Sequence, residues 1–406
     1  ALSSAASDVY KRQLNIVVSY YGMFKCGGVE VQYRNFGNTG IKVSALGFGT
    51  MRLPMFPNSN TIDQEKSIEL IRYAIDNGVN YIDTAYSYQD GQAEIVTGKA
   101  LKNGYRSKVY LASKAPVWEY NNEYDFDRIL AEQMRRMNVN QIDFYMLHSL
   151  DANFWDNKVL KYNVLEHLYK AKRDGRIRYI GFSFNDDFDM FKWICDYWEH
   201  WDFCQIHLNY IDEEYQAGLR GLEYAKEKGM AVNIMEPLRS GYLANVPKST
   251  QIVFDEICAK PVEIAMQYLW DKEGVSCVLS DMGSFEHINQ NLEYAKVSSI
   301  GMLSGKRIMA IKKAQQTYIN SRMIHCNGCY KCNRCPQHVM IPRNLEAINK
   351  IGIHSSVKVA KEFYDGSVAL VGGSATDCIN CKWCESICPQ HINISHWMRK
   401  LPELIK

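Results

Sequence analysis

From about residue 31 the chain alternates between short apolar runs and longer amphipathic stretches. VQYRNFGNTGIKVS reads as two strands joined by a tight turn at Asn38, Thr39 and Gly40. ALGFGT (45–50) is a short buried strand. IDQEKSIELIRYAIDNG (62–78) has helical periodicity and ends on Gly78. The same pair recurs as YIDTA (81–85) with AEIVTGKAL (93–101), then as VYLASK (109–114) with DFDRILAEQMRRM (125–137). IDFYMLH (142–148) is followed by a helix ending near Gly175. RYIGFS (178–183), FCQIHLNY (203–210), AVNIMEP (231–237) and VSCVLS (275–280) continue the series, each leading into a helical segment. Eight strand–helix units in about 250 residues predict an α/β fold, a parallel (β/α)8 TIM barrel. A doubly wound sheet is the rival, but no GxGxxG follows an early strand.

Beyond residue 300 the pattern changes. GKRIMAIKKAQQTYINS (305–321) reads as a connecting helix, and IPRNLEAINKIG (341–352) and SVKVAKEFYDG (356–366) as further helices between cysteine-rich segments. The chain therefore divides into an N-terminal extension (1–30), a barrel (31–300) and a helical C-terminal module (301–406). The run ALSSAASDVYKRQ is similar to translated adapter sequence, so residues 1–30 are set outside the fold, with a native start expected near Met23.

Composition narrows the function class. Hydrophobic residues make up 47% and charged residues 23%, an ordinary globular balance. A net charge of +2 gives no electrostatic reason to expect nucleic acid or an anionic membrane as partner. No apolar run approaches the roughly 20 residues needed to span a bilayer, and no secretory signal pattern is visible, so the expected compartment is the cytoplasm.

Eight of the thirteen cysteines lie after residue 325. Clustering of that kind points to metal rather than to a disulfide framework. Cys326, Cys329, Cys332 and Cys335 form CxxCxxCxxCP; Cys378, Cys381, Cys384 and Cys388 form CxxCxxCxxxCP. The second spacing is that of bacterial ferredoxins, in which three cysteines hold one cluster and the fourth ligates the other. By that logic Cys326, Cys329, Cys332 and Cys388 hold one [4Fe-4S] cluster, and Cys378, Cys381, Cys384 and Cys335 a second. The first motif is one residue shorter between its third and fourth cysteines. Two four-thiolate zinc sites are the alternative.

In the barrel, Asp83 and Tyr88 follow the second strand, Lys114 closes the third and His148 the fourth. Carbonyl reduction needs a proton at the oxygen as hydride reaches the carbon. A tyrosine is a weak acid alone, and a nearby lysine is expected to lower its pKa. Asp83 would keep Lys114 charged, and His148 would orient the carbonyl oxygen. Taken singly, each residue is more often structural.

YIDTAYSYQDGQAEIVTGKAL, VYLASK, DFYMLH, GRIRYIGFSF and CQIHLNY resemble the successive motifs of the aldo-keto reductase superfamily, over about Tyr33 to Ala295. The resemblance implies a (β/α)8 barrel that reduces carbonyls with a nicotinamide, NAD(P)H, with Asp83, Tyr88, Lys114 and His148 as its tetrad. It implies that Ser183, Gln205 and Asn209 meet the nicotinamide end. Glu236, Pro237, Leu238, Ser240 and Gly241 match the loop near the pyrophosphate, and Gln290 and Asn291 the adenine end. NADPH-preferring relatives carry basic residues after the last strand, where this chain has SDMGSFEHINQNL; Asp281 and His287 stand near those positions. A carboxylate there would repel a 2′-phosphate, which leaves NADH open as the cofactor. With its cysteine tail, the whole resembles the iron–sulfur aldo-keto reductase-like oxidoreductases of anaerobes, with a tail of the α-helical ferredoxin kind.

The expected function is an oxidoreductase that moves hydride between a nicotinamide and a small carbonyl or alcohol, its clusters carrying electrons or bracing the module. The alternative is a non-catalytic nicotinamide and redox sensor. Hydride carries two electrons and each cluster takes one, so an electron role requires a flavin or a redox partner protein. The loops Trp118 to Tyr124 and Leu150 to Trp155 are aromatic; they would stack on a substrate or, more commonly, pack on the barrel.

Overall fold

The computed structural model of the protein describes residues 31–369 and 372–406; the expected extension at residues 1–30 lies outside them. Tyr33–Asn35 (β1) and Lys42–Ser44 (β2) pair antiparallel, Tyr33 opposite Ser44. Their turn needs glycine at position 37, where φ is +51° and a Cβ would lie 2.5 Å from the Ala231 nitrogen. That close approach seats the hairpin on the barrel floor. Phe36 enters the interior there, its ring centroid 4.3 Å from that of Phe144 and 5.5 Å from that of Phe203.

Eight strands follow: Leu46–Gly49 (β3), Tyr81–Asp83 (β4), Tyr110–Ala115 (β5), Ile142–Leu150 (β6), Ile177–Phe184 (β7), Phe203–His207 (β8), Ala231–Met235 (β9) and Val275–Asp281 (β10). They close into a barrel in the order β10-β3-β4-β5-β6-β7-β8-β9. Because β10 pairs in parallel with both β9 and β3, this eight-stranded sheet has no edge, and the doubly wound alternative is ruled out. Inward positions alternate along each strand. Near the floor they are apolar: Tyr81, Ala112, Phe144, Met146, Phe203, Ala231, Cys277 and Leu279 pack around Phe36. At the C-terminal ends they turn polar, with Asp83 two residues beyond Tyr81, Lys114 two beyond Ala112 and His148 two beyond Met146. That switch places the chemistry at one mouth.

Helices of eight or more residues cover the outside: Gln64–Asp76 (α1), Gln92–Ala100 (α2), Asp125–Met137 (α3), Val164–Arg173 (α4), Phe188–Tyr197 (α5), Gly218–Glu227 (α6), Lys248–Asp255 (α7), Pro261–Trp270 (α8) and Phe285–Lys296 (α9). α1 starts on Asp63, whose carboxylate accepts from the Lys66 N–H, and buries Leu70, Ile71 and Ala74 on one face. The next helix, Gly305–Ser321 (α10), occupies the expected connecting segment and buries Ala310, Ile311, Ala314 and Tyr318 in the barrel's outer core. Beyond it, Ile341–His354 (α11), Val357–Tyr364 (α12) and Ile394–Leu404 (α13) share a separate core that includes Leu345, Ile348, Ala360, Phe363, Met398 and Leu401. Among the described residues this region contains no strand, as expected of a helical module. Among the described residues no helix is long and apolar enough to cross a membrane.

Candidate active site and cysteine module

Lys114 is fully buried. Its ammonium donates to Asp83 Oδ1 at 2.5 Å, to the Thr84 carbonyl at 2.9 Å and to Tyr88 Oη at 3.0 Å. Tyr88 begins the turn after β4. The turn is tight because Gln89 and Asp90 take positive φ (48° and 57°), and it carries the ring back over the mouth. His148 meets Tyr88 edge-on at 6.1 Å between centroids and lies 5.1 Å from Trp118; its Nδ1 is buried with no hydrogen-bond partner. Behind this wall, Gln133 Nε2 donates to the Lys114 carbonyl at 3.1 Å and to the buried Glu94 at 2.6 Å, tying β5 to α2 and α3. All four residues of the expected tetrad therefore converge.

Burial works against the Lys114 charge, but Asp83 and Tyr88 outweigh it and leave the ammonium harder to deprotonate than usual. Tyr88 departs from expectation. Burial pushes its pKa up to about 12, overriding the downward pull of Lys114. The phenol thus keeps its proton at neutral pH and is set up as a donor, not as a lowered-pKa acid. His148 is held well below its usual range by burial first and Lys114 second, so its ring is neutral.

The residues expected at the nicotinamide end line the opposite wall. Ser183 and Gln205 are register partners on β7 and β8. Ser183 Oγ accepts from the Ser149 N–H at 2.8 Å, and Gln205 Oε1 is buried with no partner. Asn209 is different: its amide N–H groups reach His207, Asp212 and the Glu236 carbonyl, and its oxygen accepts from the Ile211 and Asp212 N–H groups. Asn209 is tied into the scaffold. In the loop after β9, Ser240 Oγ donates to Glu236 at 2.8 Å, Pro237 is buried, Leu238 is half-buried and the Gly241 N–H donates to the Leu238 carbonyl at 3.0 Å. Gln290 and Asn291 lie on α9, where Asn291 bonds Ser280 at 2.9 Å.

The eight module cysteines form no disulfide and fall into two sets of four. One cavity is lined by Cys326, Cys329, Cys332 and Cys388, with about 340 Å³ of free space including its mouth. The other is lined by Cys335, Cys378, Cys381 and Cys384, with about 360 Å³. Each set takes its fourth thiol from the other motif. Gly328, Tyr330, Asn380 and Lys382 adopt positive φ and coil the loops around these cavities.

Residues 45–313 match the aldo/keto reductase family model. The chain belongs to the aldo/keto reductase family. Residues 325–393 match a 4Fe-4S dicluster domain, so the helical tail carries that domain on an aldo/keto reductase barrel. Among curated relatives, L-galactose dehydrogenase of Arabidopsis thaliana is 26% identical over 297 residues, 67% of this chain and 91% of its own. Methylglyoxal reductase YeaE of Escherichia coli is 27% identical over 285 residues, 68% of this chain and 92% of its own. The structure of a Klebsiella pneumoniae aldo-keto reductase in complex with NADPH shares the fold, with TM-score 0.57 and 24% identity over 70% of this chain and 94% of that one.

Within the aldo/keto reductase barrel, Asp281 continues the inward series Cys277, Leu279 at the barrel mouth, its carboxylate beside Gly49 of β3. His287 is exposed on the first turn of α9. The aromatic loops mostly pack: Tyr120, Leu150 and Trp155 are fully buried, whereas Trp118 lies against His148.

Sequence reading also missed a charged seam between barrel and module. Asp212, bonded to His207 at 3.0 Å, pairs with Arg239 at 2.9 Å, and Arg239 reaches Glu346 of α11 at 3.2 Å. Glu346 also draws Arg343 (3.5 Å) and Lys350 (3.6 Å). Beside it, Tyr215 and Tyr330 share a buried hydroxyl–hydroxyl bond of 2.6 Å. The only sequence signal was the spacing of Arg343, Glu346 and Lys350 along one helix. Burial raises the Glu346 pKa, but Arg239, Lys350 and Arg343 more than offset this and hold it below the ordinary range. Its stabilisation is therefore present above the unfolded value and lost as pH falls through the lowered folded value. Glu346→Gln leaves Arg343 and Lys350, whose pKa burial lowers to about 7, without their carboxylate, leaves Arg239 with Asp212 alone, and is expected to cost about 3 kcal/mol. Thermal unfolding of the cluster-loaded protein should show the loss at neutral pH and much less of it in acid.

Proposed function

We propose that the barrel transfers hydride between a nicotinamide and a small carbonyl or alcohol, and that the tail holds two [4Fe-4S] clusters with crossed ligands. The observation that carries the first part is the chain Asp83–Lys114–Tyr88 at the barrel mouth, with contacts of 2.5 and 3.0 Å. The unpartnered amide oxygen of Gln205 and the Ser183 hydroxyl fit the carboxamide of a nicotinamide. Such a cofactor would supply hydride to the carbonyl carbon.

Tyr88 donates its proton to the carbonyl oxygen, and Lys114 beside it stabilises the phenolate left behind. Asp83 keeps that ammonium charged. Neutral His148 offers a hydrogen bond to the same oxygen, and Trp118 shields it from water. The names of the two curated relatives, one acting on a sugar and one on methylglyoxal, favour a small polar carbonyl. For the tail, the two thiol-lined cavities fit clusters, which would supply one-electron chemistry or rigidity. An electron role would call for a redox partner protein or a flavin.

Anaerobically purified protein is expected to oxidise NADH or NADPH when methylglyoxal or an aldose is added, and to contain iron and acid-labile sulfide. Zinc in their place would remove the cluster reading, and failure to consume either nucleotide across a carbonyl panel would remove the hydride reading. Bleaching of the cluster absorbance by nucleotide alone would assign the clusters an electron-transfer role.

A further inference from the structure

Asp281 closes β10 with its side chain turned into the barrel, as Cys277 and Leu279 are before it. Its register partner on β3 is Gly49, and the partner of Gly49 on β4 is Asp83. Glycine between them leaves room for the carboxylate: a Cβ at position 49 would fall 2.3 Å from Asp281 Oδ1 and push that side chain aside. The two carboxylates thus face one mouth across a single strand, with Cα atoms about 10 Å apart at the usual strand spacing.

The charged groups facing Asp281 are Arg52 from the loop after β3, Asp83 from β4, Lys114 from β5 and Glu236 from the loop after β9; Tyr88 also feels its charge. Lys114 is already matched by Asp83, so Arg52 is the cation left to face the two carboxylates Asp281 and Glu236. Burial raises its pKa to about 6, opposed by Arg52 and reinforced by Asp83 and Glu236.

Resting on the reading that this mouth binds a nicotinamide, we propose that Asp281 is the electrostatic partner of the ring, favouring its oxidised, cationic form over its reduced, neutral form. Hydride, a proton with two electrons, leaves the ring for the carbonyl carbon. The Tyr88 proton goes to the oxygen, and the ring becomes a cation. For that transfer the ring carbon must stand about 3–3.5 Å from the carbonyl carbon. A carbonyl oxygen bonded to Tyr88 would place the ring beside Tyr88, within the field of the Asp281 carboxylate. Asp281 is half-buried, so that field is screened less than it would be on the open surface. Carbonyl reduction, which creates the ring cation, is the direction it assists.

The test is binding alone, on full-length, cluster-loaded protein. The affinities of NAD⁺ and NADH, or of the NADP pair if that is the pair bound, are measured from pH 5 to pH 8. The ratio of oxidised to reduced affinity is expected to rise about tenfold as Asp281 ionises. Asp281→Asn, with Asp281→Ser as a second variant, should hold the ratio flat at its low-pH value. A flat ratio in the wild type, or an unchanged rise in both variants, overturns the role of Asp281 and leaves the nicotinamide reading standing. Wild-type protein that binds neither form overturns both.

Discussion

Tyr88→Phe is expected to lower carbonyl reduction by about 10²–10⁴-fold while nicotinamide still binds. The substitution removes one hydroxyl, the one 3.0 Å from Lys114 Nζ, and leaves the ring and its edge-on contact with His148. Lys114 keeps Asp83 and the Thr84 carbonyl as partners, so no buried charge is stranded. That makes Tyr88→Phe a cleaner probe than Lys114→Met, which would leave Asp83 buried and unpaired. Because the phenol's pKa is pushed up to about 12, the wild-type reduction rate should show no Tyr88 limb across neutral pH. Steady-state kcat and nucleotide Kd, measured on both proteins, decide the matter. An undiminished kcat would sink the acid role of Tyr88.

The second large effect concerns the clusters, and it turns on pairs of cysteines. With crossed ligands, Cys326→Ala combined with Cys388→Ala strikes one cluster twice and should remove about half of the iron and sulfide. Cys326→Ala combined with Cys335→Ala strikes both and should remove nearly all. If each motif instead wrapped its own cluster, the two outcomes would exchange. The crossed assignment rests on where the chain places the thiols: Cys388 lines the cavity of the first motif, and Cys335 that of the second. Iron and sulfide analysis of the two double variants, each purified anaerobically, separates the schemes.

Much of this protein is legible along the chain. The switch between a period of two and a period of 3.6 marks strands and helices locally, and eight repeats of that switch in one direction leave few folds but a closed parallel barrel. Asp83, Tyr88, Lys114 and His148 could be singled out because each directly follows or ends an apolar strand. A barrel brings such ends to one rim whatever lies between them. The cysteine motifs are also local, since their spacing is itself the ligand geometry.

Tertiary structure decided what depends on the surroundings of a side chain. The sequence places a lysine near Tyr88, but only the closed barrel strips water from the phenol strongly enough to raise its pKa rather than lower it. Asp281 lies next to residues expected to meet the adenosine half of the cofactor. Strand alternation turns its side chain toward the barrel mouth, beside Gly49 of the neighbouring strand. Asn209 has the residue type of a ligand contact, yet the fold engages its amide within the protein. The seam joins Asp212, Arg239 and Glu346 from three distant stretches of chain. Periodicity and spacing are carried by neighbours in sequence; desolvation and charge pairing arise between neighbours in space, and they take their values only when the barrel and the module close on each other.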